Sequence, residues 1–432
     1  MSVLEQLDRT ILLCRDFIVD GVSDEEICRR FRSMQVLCVS DRRNLSSHGG
    51  QTALFTLVSL LSRMGMQVGL SIPEIAVVAP QPPFSGLSVR DALVASSETL
   101  VSGAAVRFNS DFNPDIVFAL GDTQFRSRSA ECWRLTSNEW DGGLATLGQA
   151  EVPALTAEWS VGAMVSAALG ANEAFKCVLR SLPLRCKSDR VFVEPSPFCN
   201  WSFGSLPVPN AGLNIGEVDI ISAGAICQAA LYALLRLPRV EMWGRIFDDD
   251  RTGESNLNRN MLTLLSDVEV GKVVVVARRC GPHVRLEPIS HRFPGPTGVA
   301  RLASRALVGV DDIPSRWAVQ RHAHGWVGVS GTSHFSISSS AHRPTEPCCG
   351  CLHPIDEPTG ANPIPTVSFV SFWAGLAMAV RLIGEALGSP YPSNRQHLWL
   401  TPLRPDQPRA AMWAPVAPRR DCPVGCSASQ RL

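Results

Sequence analysis

The feature that most constrains this fold is an apolar segment that runs directly into an apolar helix between Val218 and Leu237. Its first part, VDIISAG, predicts a buried strand that ends in a turn of small residues, and AICQAALYALLRL predicts a helix. A second strand, WGRIF, follows and ends at Asp248. A strand, a tight turn, a helix and another strand form a Rossmann-type unit, which predicts a parallel sheet.

The same alternation of strands and helices occurs elsewhere in the chain. Strands are predicted at Met34–Val39, Met66–Ile72, Asp115–Leu120, Lys272–Ala277 and Arg305–Val310, and helices at Val3–Phe17, Ala53–Met64, Val161–Leu182 and Val367–Leu387. Residues 183–216 hold several Pro, Gly and Asn and have no clear period. We therefore predict an α/β protein of two Rossmann-like domains with mainly parallel sheets, residues 1–190 and 217–432, joined by a linker at 191–216.

Composition limits the classes of partner. The 432 residues are 45% hydrophobic, enough for two domains, and their formal net charge is zero. Neutrality gives no reason to expect nucleic acid or an anionic membrane as a partner. The first residues, MSVLEQLDRT, lack a signal-peptide pattern, and charges, Gly or Pro interrupt the apolar runs. We expect a cytoplasmic protein without membrane spans.

The turn and the strand end that follows it predict a nucleotide site. Backbone N–H groups at such a turn approach a phosphate most easily when the residues are small, and Gly224 is the glycine of this turn. A carboxylate at the position of Asp248 commonly binds ribose hydroxyls. The alternatives remain a structural turn and a solvated strand end, and we favour the latter for Asp249.

Polar residues beyond the strand indicate phosphate chemistry. Asn256 and Arg259 are spaced to share one helical face, and the fork of Arg259 suits a phosphate. Lysine occurs only at positions 176, 187 and 272, so Lys272 is unusual in this arginine-rich chain. Asp311 ends a strand and is a candidate Mg²⁺ ligand. The alternatives are surface cations for Arg259 and Lys272, and a helix N-cap for Asp311.

These segments together resemble the adenylating domain of the ThiF family, which includes the activating enzymes of ubiquitin and of bacterial sulfur carriers. The resemblance covers residues 218–430 and is carried by SAGAICQAALYALL, the aspartates before SNLNR, VGK, VGVDDIPSR, PCCGCLHP and DCPVGC. It implies that ATP and Mg²⁺ are used to adenylate the C-terminal carboxylate of a ubiquitin-like or small carrier protein. The implied site residues are Arg259, Lys272, Asp311 and Arg9 for catalysis, and Gly224, Ala225, Asp248, Asp250, Asn256, Arg259 and Lys272 for nucleotide binding, with Asp311 serving Mg²⁺.

Two cysteine pairs near the C-terminus are candidate zinc ligands. Cys348 and Cys351 with Cys422 and Cys426 supply four thiolates, as a tetrahedral structural zinc site requires. The second pair has three intervening residues where the ThiF family usually has two. Cys349 is surplus to this set. Inert buried or surface cysteines are the alternative.

The first half resembles a degenerate copy of the same domain, as in two-lobed activating enzymes. Its turn lacks glycines, and no matching Asp, Arg and Lys set follows it. The resemblance implies that Arg9 reaches across to the phosphates; the alternative is an arginine that flanks an amphipathic helix. No cysteine lies between Cys351 and Cys422, so a thioester step is not expected unless Cys349 or an outside thiol serves.

Three functions remain open from the sequence. The first is an adenylating enzyme, with a conjugating-type partner or a second copy of the chain as possible further partners. The second is an inactive module that binds a ubiquitin-like protein or an activating-enzyme partner. The third is a Rossmann oxidoreductase, in which SNLNR and VGK would have no role.

Overall fold

The computed structural model describes residues 3–108, 113–126, 131–147, 152–185, 194, 198–204, 206–209, 212–294, 301–355, 363–403 and 411–430. Helices are numbered α1 Val3–Gln6, α2 Asp8–Cys14, α3 Asp24–Ser33, α4 Arg42–Leu45, α5 His48–Arg63, α6 Val89–Leu100, α7 Val161–Arg180, α8 Ala225–Leu234, α9 Lys272–Arg279, α10 Ile313–His322, α11 Cys349–Leu352, α12 Ser368–Ala386 and α13 Ser427–Gln430. Three 3-10 turns lie at Glu254–Asn256, Leu265–Asp267 and Ser393–Arg395.

The first half of the chain builds a seven-stranded sheet in the order β3-β2-β1-β4-β5-β6-β7. Its strands are β1 Gln35–Val39, β2 Gln67–Ser71, β3 Val106–Phe108, β4 Ile116–Leu120, β5 Glu131–Ser137, β6 Asp141–Thr146 and β7 Phe198–Ser202. The strands from β3 to β5 are parallel, and β6 and β7 are added antiparallel. Parallel strands need crossover connections, which explains why helices alternate with the early strands.

The second half builds an eight-stranded sheet in the order β10-β9-β8-β11-β12-β13-β14-β15. Its strands are β8 Leu213–Ile221, β9 Val240–Phe247, β10 Val284–Ile289, β11 Arg305–Val308, β12 Trp326–Ser333, β13 Ser336–His342, β14 His397–Leu400 and β15 Ala411–Ala414. The strands from β10 to β12 are parallel and the last three pair antiparallel. Two mixed, mainly parallel sheets confirm the predicted fold class.

The two halves share a hydrophobic core. Helix α12 packs against α8 of its own half and against α5 and α7 of the first half. The buried rings of Phe175 and Phe369 lie 5.5 Å apart, and those of Tyr232 and Phe372 lie 5.7 Å apart. Helix α12 therefore joins the layers of both halves, as expected of a mainly apolar helix whose residues are buried on every face.

Two predicted boundaries need correction. The predicted helix Val3–Phe17 is divided into α1 and α2 at Leu7, whose φ of −109° and ψ of 8° are not helical. Within the predicted linker 191–216, Phe198–Ser202 is a strand of the first sheet and Leu213 begins β8. Several residues of that segment lie outside the described part of the chain. The division at 191–216 otherwise stays a prediction.

The predicted strand Lys272–Ala277 is wrong, because these residues form the helix α9. The run of valines favours a strand by its β-branched side chains. However, β9 and β10 are parallel neighbours, so the chain between them must cross over. Helix α9 makes that crossover and buries Val273, Val275 and Val276. The topology of the sheet thus overrides the local propensity.

Within the described residues, Ser368–Ala386 has the length and apolar character that a membrane-crossing helix needs, and 89% of its most apolar stretch is buried inside the protein. Core helices of soluble proteins meet the same criterion, so this finding is weak support for a membrane span.

We predict that Gly375→Ala lowers the free energy of unfolding by about 1–3 kcal/mol, the usual cost of overpacking a core. A Cβ atom at Gly375 would lie 2.4 Å from both Ala229 Cβ and the Ile226 carbonyl oxygen of α8. Gly384→Ala in the same helix is the control, since the nearest atom to its Cβ would be the Ser389 oxygen at 3.3 Å. We expect the control to change stability by less than about 1 kcal/mol. Urea denaturation followed by tryptophan fluorescence measures both, and equal losses would contradict the close contact of α12 with α8.

Candidate functional site

A cavity of about 280 Å³ lies at the carboxyl ends of β8, β9 and β11. After β8 the chain turns into α8, and after β11 it turns into α10, so the connections diverge between these two neighbouring strands. Such a switch point is where open α/β sheets bind ligands. The cavity is lined by all nine predicted nucleotide and catalytic residues: Arg9, Gly224, Ala225, Asp248, Asp250, Asn256, Arg259, Lys272 and Asp311.

The turn after β8 is held by side chains rather than left open. Ser222 has a φ of +90°, a left-handed conformation that favours glycine. Its hydroxyl accepts a hydrogen bond from Gly224 N–H at 3.0 Å and donates to Asp248 Oδ2 at 3.3 Å. The Ala223 N–H donates to the same carboxylate oxygen at 2.7 Å. Two N–H groups that could meet a phosphate are therefore already bonded.

Asp248 holds the turn after β8 through hydrogen bonds. Besides the bonds from Ser222 and Ala223, its Oδ1 accepts from Asp250 N–H at 2.9 Å. A carboxylate has about four acceptor positions, so capacity for about one further donor such as a ribose hydroxyl remains. The N-terminus of α8 also stays available, because its N-cap, Gly224, provides no side-chain cap. The first N–H groups of a helix have no intrahelical acceptor and attract anions.

Two arginines converge on the cavity from different halves. Arg9 of α2 donates from Nη1 to the Ile364 carbonyl at 2.9 Å. Arg259 is half-buried and donates from Nη1 to Asn258 Oδ1 at 2.7 Å. Burial first, and the charge of Arg9 second, lower the pKa of Arg259 to about 10. Asp8, which pairs with Arg9, and Asp311 offset part of the repulsion between the two arginines, and an anion in the cavity would offset more of it.

The remaining polar residues of the predicted site make local contacts. Lys272 Nζ donates to Asp250 Oδ2 at 2.6 Å, and Arg292 Nε donates to Asp249 Oδ1 at 3.0 Å. Asn256 does not share an α-helical face with Arg259, since it ends a 3-10 turn and its Oδ1 accepts from the Gly253 N–H. Arg292 and Lys272 thus balance the charges of Asp249 and Asp250, so these two carboxylates do not require a metal ion.

Asp311 is not the cap of the following helix. The N-cap of α10 is Asp312, whose Oδ1 accepts from Ser315 N–H at 2.8 Å. Asp311 is exposed and lines the cavity beside it. The alternative that Asp311 is the N-cap is therefore wrong, and its carboxylate does not accept the capping hydrogen bond.

Arg316 is a cavity residue that the sequence interpretation missed. It is buried, and its Nε and Nη2 donate to the Val310 carbonyl at 3.1 and 3.0 Å. Side chains on a helix lean toward its N-terminus, which brings Arg316 back to the end of β11 beside Asp311. Its position one turn after the N-cap Asp312 was the signal that could have identified it.

The four predicted zinc ligands lie together. Their sulfur atoms are all within 4.8 Å of one another, with Cys348 to Cys422 at 3.4 Å and Cys351 to Cys426 at 3.6 Å. A tetrahedral zinc with Zn–S bonds of about 2.3 Å would separate its sulfurs by about 3.8 Å. The cluster therefore fits a metal ion of this kind, despite the longer second spacing. Cys349 points elsewhere and donates to the Arg316 carbonyl at 3.4 Å.

The equivalent edge of the first sheet is filled by protein. Helix α4 follows β1 directly, and a Cβ at Gly50 of α5 would lie 2.0 Å from the Asn44 carbonyl oxygen. The Asn44 amide donates to Asp41 and Asp122 at 3.0 Å each. These contacts close the end of α5, and they give a physical basis for calling the first half degenerate.

A second cavity of about 810 Å³ lies between the halves, at the amino ends of β9 and β10. It is lined by the end of α8, by the residues that follow it, including Arg236, and by loops of the first half around Ser47 and Pro82. None of the predicted site residues borders it. The candidate site is therefore the smaller, more polar cavity.

Comparison with known proteins gives a family match and a likeness of fold. The BilD N-terminal domain family matches residues 35–193, which is less than half of the chain. No curated protein matches the sequence. The structures that resemble this one include MccB of Escherichia coli with AMPCPP and MccA, at 17% identity and a TM-score of 0.39, covering 49% of this chain and 66% of that chain.

Two further crystal structures of Escherichia coli MccB give similar values. MccB alone is 14% identical with a TM-score of 0.39, covering 49% of this chain and 64% of its own, and MccB with ATP is 16% identical with a TM-score of 0.39, covering 48% and 66%. The chain thus spans less than two thirds of these relatives. Neither finding identifies the ThiF family, so that resemblance remains a prediction from the sequence. At these values the likeness carries no argument about activity, so function has to follow from the cavity.

We predict that the purified protein contains one zinc ion and that Cys351→Ser loses it, because three thiolates cannot complete the tetrahedral site. Metal content measured by mass spectrometry tests this. Cys349→Ser is the matched control, since this neighbouring thiol lies outside the cluster and should leave the zinc in place. Equal zinc content in the wild type and Cys351→Ser would contradict the site.

Proposed function

We propose that this chain is a cytoplasmic ATP-dependent adenylating enzyme that activates the C-terminal carboxylate of a ubiquitin-like or small carrier protein or peptide. The observation that supports this most is the convergence of Arg9, Arg259 and Lys272, from three separate segments, on one cavity at the sheet's switch point. A nucleoside triphosphate has the charge that such a set neutralises. The dinucleotide of an oxidoreductase carries fewer phosphate charges than a triphosphate, so it matches these three cations less well.

The proposed step is nucleophilic substitution at phosphorus. A carboxylate oxygen of the carrier attacks the α-phosphorus of ATP, and the bond from that phosphorus to the pyrophosphate oxygen breaks. The products are an acyl-adenylate and pyrophosphate. Arg9, Arg259 and Lys272 would stabilise the charge that develops on the leaving pyrophosphate, while the N-terminus of α8 would orient a phosphate. Asp248 would bind a ribose hydroxyl through its remaining acceptor position.

Mg²⁺ and Zn²⁺ would have separate places in this proposal. Asp311 would hold Mg²⁺, because its carboxylate is exposed to the cavity and does not cap α10. The ion would neutralise phosphate charge when bound. The cluster of Cys348, Cys351, Cys422 and Cys426 would hold zinc, linking the C-terminal segment to α11 away from the reacting atoms.

Transfer of the acyl group is proposed to use an acceptor outside this chain. The sequence has no cysteine between Cys351 and Cys422. Cys349 is buried, and burial raises the pKa of its thiol to about 12, so it stays protonated at neutral pH. A conjugating-type partner or another nucleophile would therefore receive the activated carboxylate.

One observation favours a second candidate, an inactive module that binds a ubiquitin-like protein or an activating partner. The bonds from Ser222 and Asp248 occupy the N–H groups of the turn where a phosphate would dock. If those bonds persist, ATP cannot use them. Titration calorimetry with ATP separates the two candidates, because the inactive module would bind the partner protein and not the nucleotide.

We predict that ATP–pyrophosphate exchange occurs with a cognate small carrier protein and falls at least about 100-fold in Arg259→Ala, since removing a donor to developing charge costs that much in other enzymes. Labelled pyrophosphate incorporated into ATP is the measurement. Arg278→Ala is the control, because this arginine of α9 pairs with Asp267 and lies outside the cavity.

Retained exchange in Arg259→Ala would contradict the assigned role of that residue. If the wild type shows neither exchange nor ATP binding when it is tested with carrier proteins encoded beside this chain, the inactive module is the remaining proposal.

We predict that Ser222→Gly binds ATP about three- to tenfold more tightly, because it frees the Gly224 N–H for a phosphate and removes a side chain from a left-handed position. Calorimetry measures the affinity, and thermal unfolding measures the stability. Ser222→Ala is the companion variant: it frees the same N–H but keeps a Cβ at positive φ. It should share the gain in affinity without a gain in stability. Unchanged ATP affinity in both variants would contradict the competition at the turn.

A further inference from the structure

Arg63, the last residue of α5, is buried with none of its surface exposed, yet it reaches into the second half of the chain. Its Nη1 donates to the Leu257 carbonyl at 2.6 Å, and its Nη2 donates to the Met261 and Thr263 carbonyls at 3.1 and 2.9 Å. Nε donates to Ser59 Oγ of its own helix at 3.3 Å. One guanidinium thus binds three carbonyls of a single segment.

That segment carries cavity residues. Leu257 directly follows Asn256 and lies two residues before Arg259, and the turn is closed by the Asn260 N–H donating to the Asn256 carbonyl at 2.9 Å. Because the bonded carbonyls lie on both sides of Arg259, Arg63 fixes the backbone from which that side chain projects. The five donors of a planar guanidinium suit this arrangement better than an ammonium group.

The same segment is also bound by Gln228 of α8. Gln228 Oε1 accepts from the Leu262 N–H and the Thr263 hydroxyl, each at 3.0 Å, and its Nε2 donates to the Ala223 carbonyl at 2.9 Å. The buried polar groups form one connected set from Arg63, through residues 257–263, to the turn after β8. Such a network specifies a single arrangement because each unpaired member would be costly.

Arg63 has no acidic partner among the ion pairs of the described residues. Burial lowers the pKa of its guanidinium to about 9. Breaking a buried charge network is costly, whereas a well-packed apolar side chain at such a position is often at least as stable. A role in positioning accounts for an arginine here better than a role in stability does.

We propose that Arg63 is a positioning residue by which the first half of the chain sets the segment bearing Asn256 and Arg259. The effect of Arg63 on catalysis rests on the proposed function. The effect of Arg63 on the position of this segment rests on the geometry alone. The first half would then shape the site through a buried contact as well as supplying Arg9.

The test compares Arg63→Met with Arg236→Met. Arg236 is the matched control, because it too is fully buried and joins the halves, donating to the Tyr232 carbonyl at 3.1 Å and to the Pro82 carbonyl at 2.6 Å. It borders the second cavity instead of the candidate site. In hydrogen–deuterium exchange, we expect the amides of residues 254–263 to exchange at least tenfold faster in Arg63→Met and to be unchanged in Arg236→Met. Equal protection of this segment in both variants would overturn the proposal.

A double-mutant cycle in ATP–pyrophosphate exchange tests the link to Arg259. We expect Arg63→Met to lower exchange at least tenfold in the wild type and less than twofold in the Arg259→Ala background, because it acts through that residue. Equal losses in both backgrounds would overturn the link. An inactive wild type would contradict the proposed function, whereas the deuterium measurement would still decide the positioning role. If Arg63→Met does not fold, Arg63→Lys against Arg236→Lys gives the same comparison.

Discussion

The packing of α12 against helices of both halves is the contact on which the candidate site depends. Its buried face lies on α8, and the Ser368 hydroxyl at its start donates to the Leu60 carbonyl of α5 at 3.0 Å. The same interface contains the Thr56–Tyr232 hydrogen bond at 3.2 Å. A cavity that takes Arg9 from one half and Arg259 from the other keeps its shape only while these layers remain packed. The apolar area buried by the shared core therefore stabilises the arrangement of charges at its edge.

Within that cavity, the charges of the two arginines favour the binding of an anion, whereas the hydrogen bonds of the turn disfavour it. Arg9 and Arg259 repel, and burial lowers the pKa of Arg259, so an anion would be bound with less competition from water than on the surface. The turn acts in the opposite sense, because Ser222 and Asp248 satisfy its N–H groups internally. A phosphate must displace the Ser222 hydroxyl or bind at the next N–H groups of α8. In the proposed enzyme, this balance would set the affinity for a nucleotide more than the number of glycines does.

The sequence predicted the fold class, the six strands β1, β2, β4, β8, β9 and β11, and nine residues that line the cavity, because apolar periodicity and strand-end polarity are local signals. The predictions were wrong or incomplete where contacts between residues far apart in the sequence determine the structure. The valines after Lys272 form a helix since β9 and β10 are parallel, and Phe198–Ser202 is a strand because β6 offers it an edge. Arg63 was missed for a related reason: an arginine that binds backbone carbonyls leaves no motif, as its partners can carry any side chain. Arg316 also binds a carbonyl, and only its position after the N-cap Asp312 could have identified it.

The connection after β1 in the first half differs from the connection after β8 in the second half. In the first half, α4 and Asn44 fill the edge after β1, whereas in the second half a turn of three residues leads straight into α8. The open edge of the second half carries charges of both signs, and a buried cation there weakens the fold unless something compensates it. Arg63 and Arg236 are compensated by carbonyls. Arg9 and Arg259 also have polar partners, the Ile364 carbonyl and Asn258, but Arg9 Nε is buried without a hydrogen-bond partner among the described residues, so a donor remains for an anion. We therefore infer that an anionic ligand completes this site, and that the enzyme is the better of the two proposals.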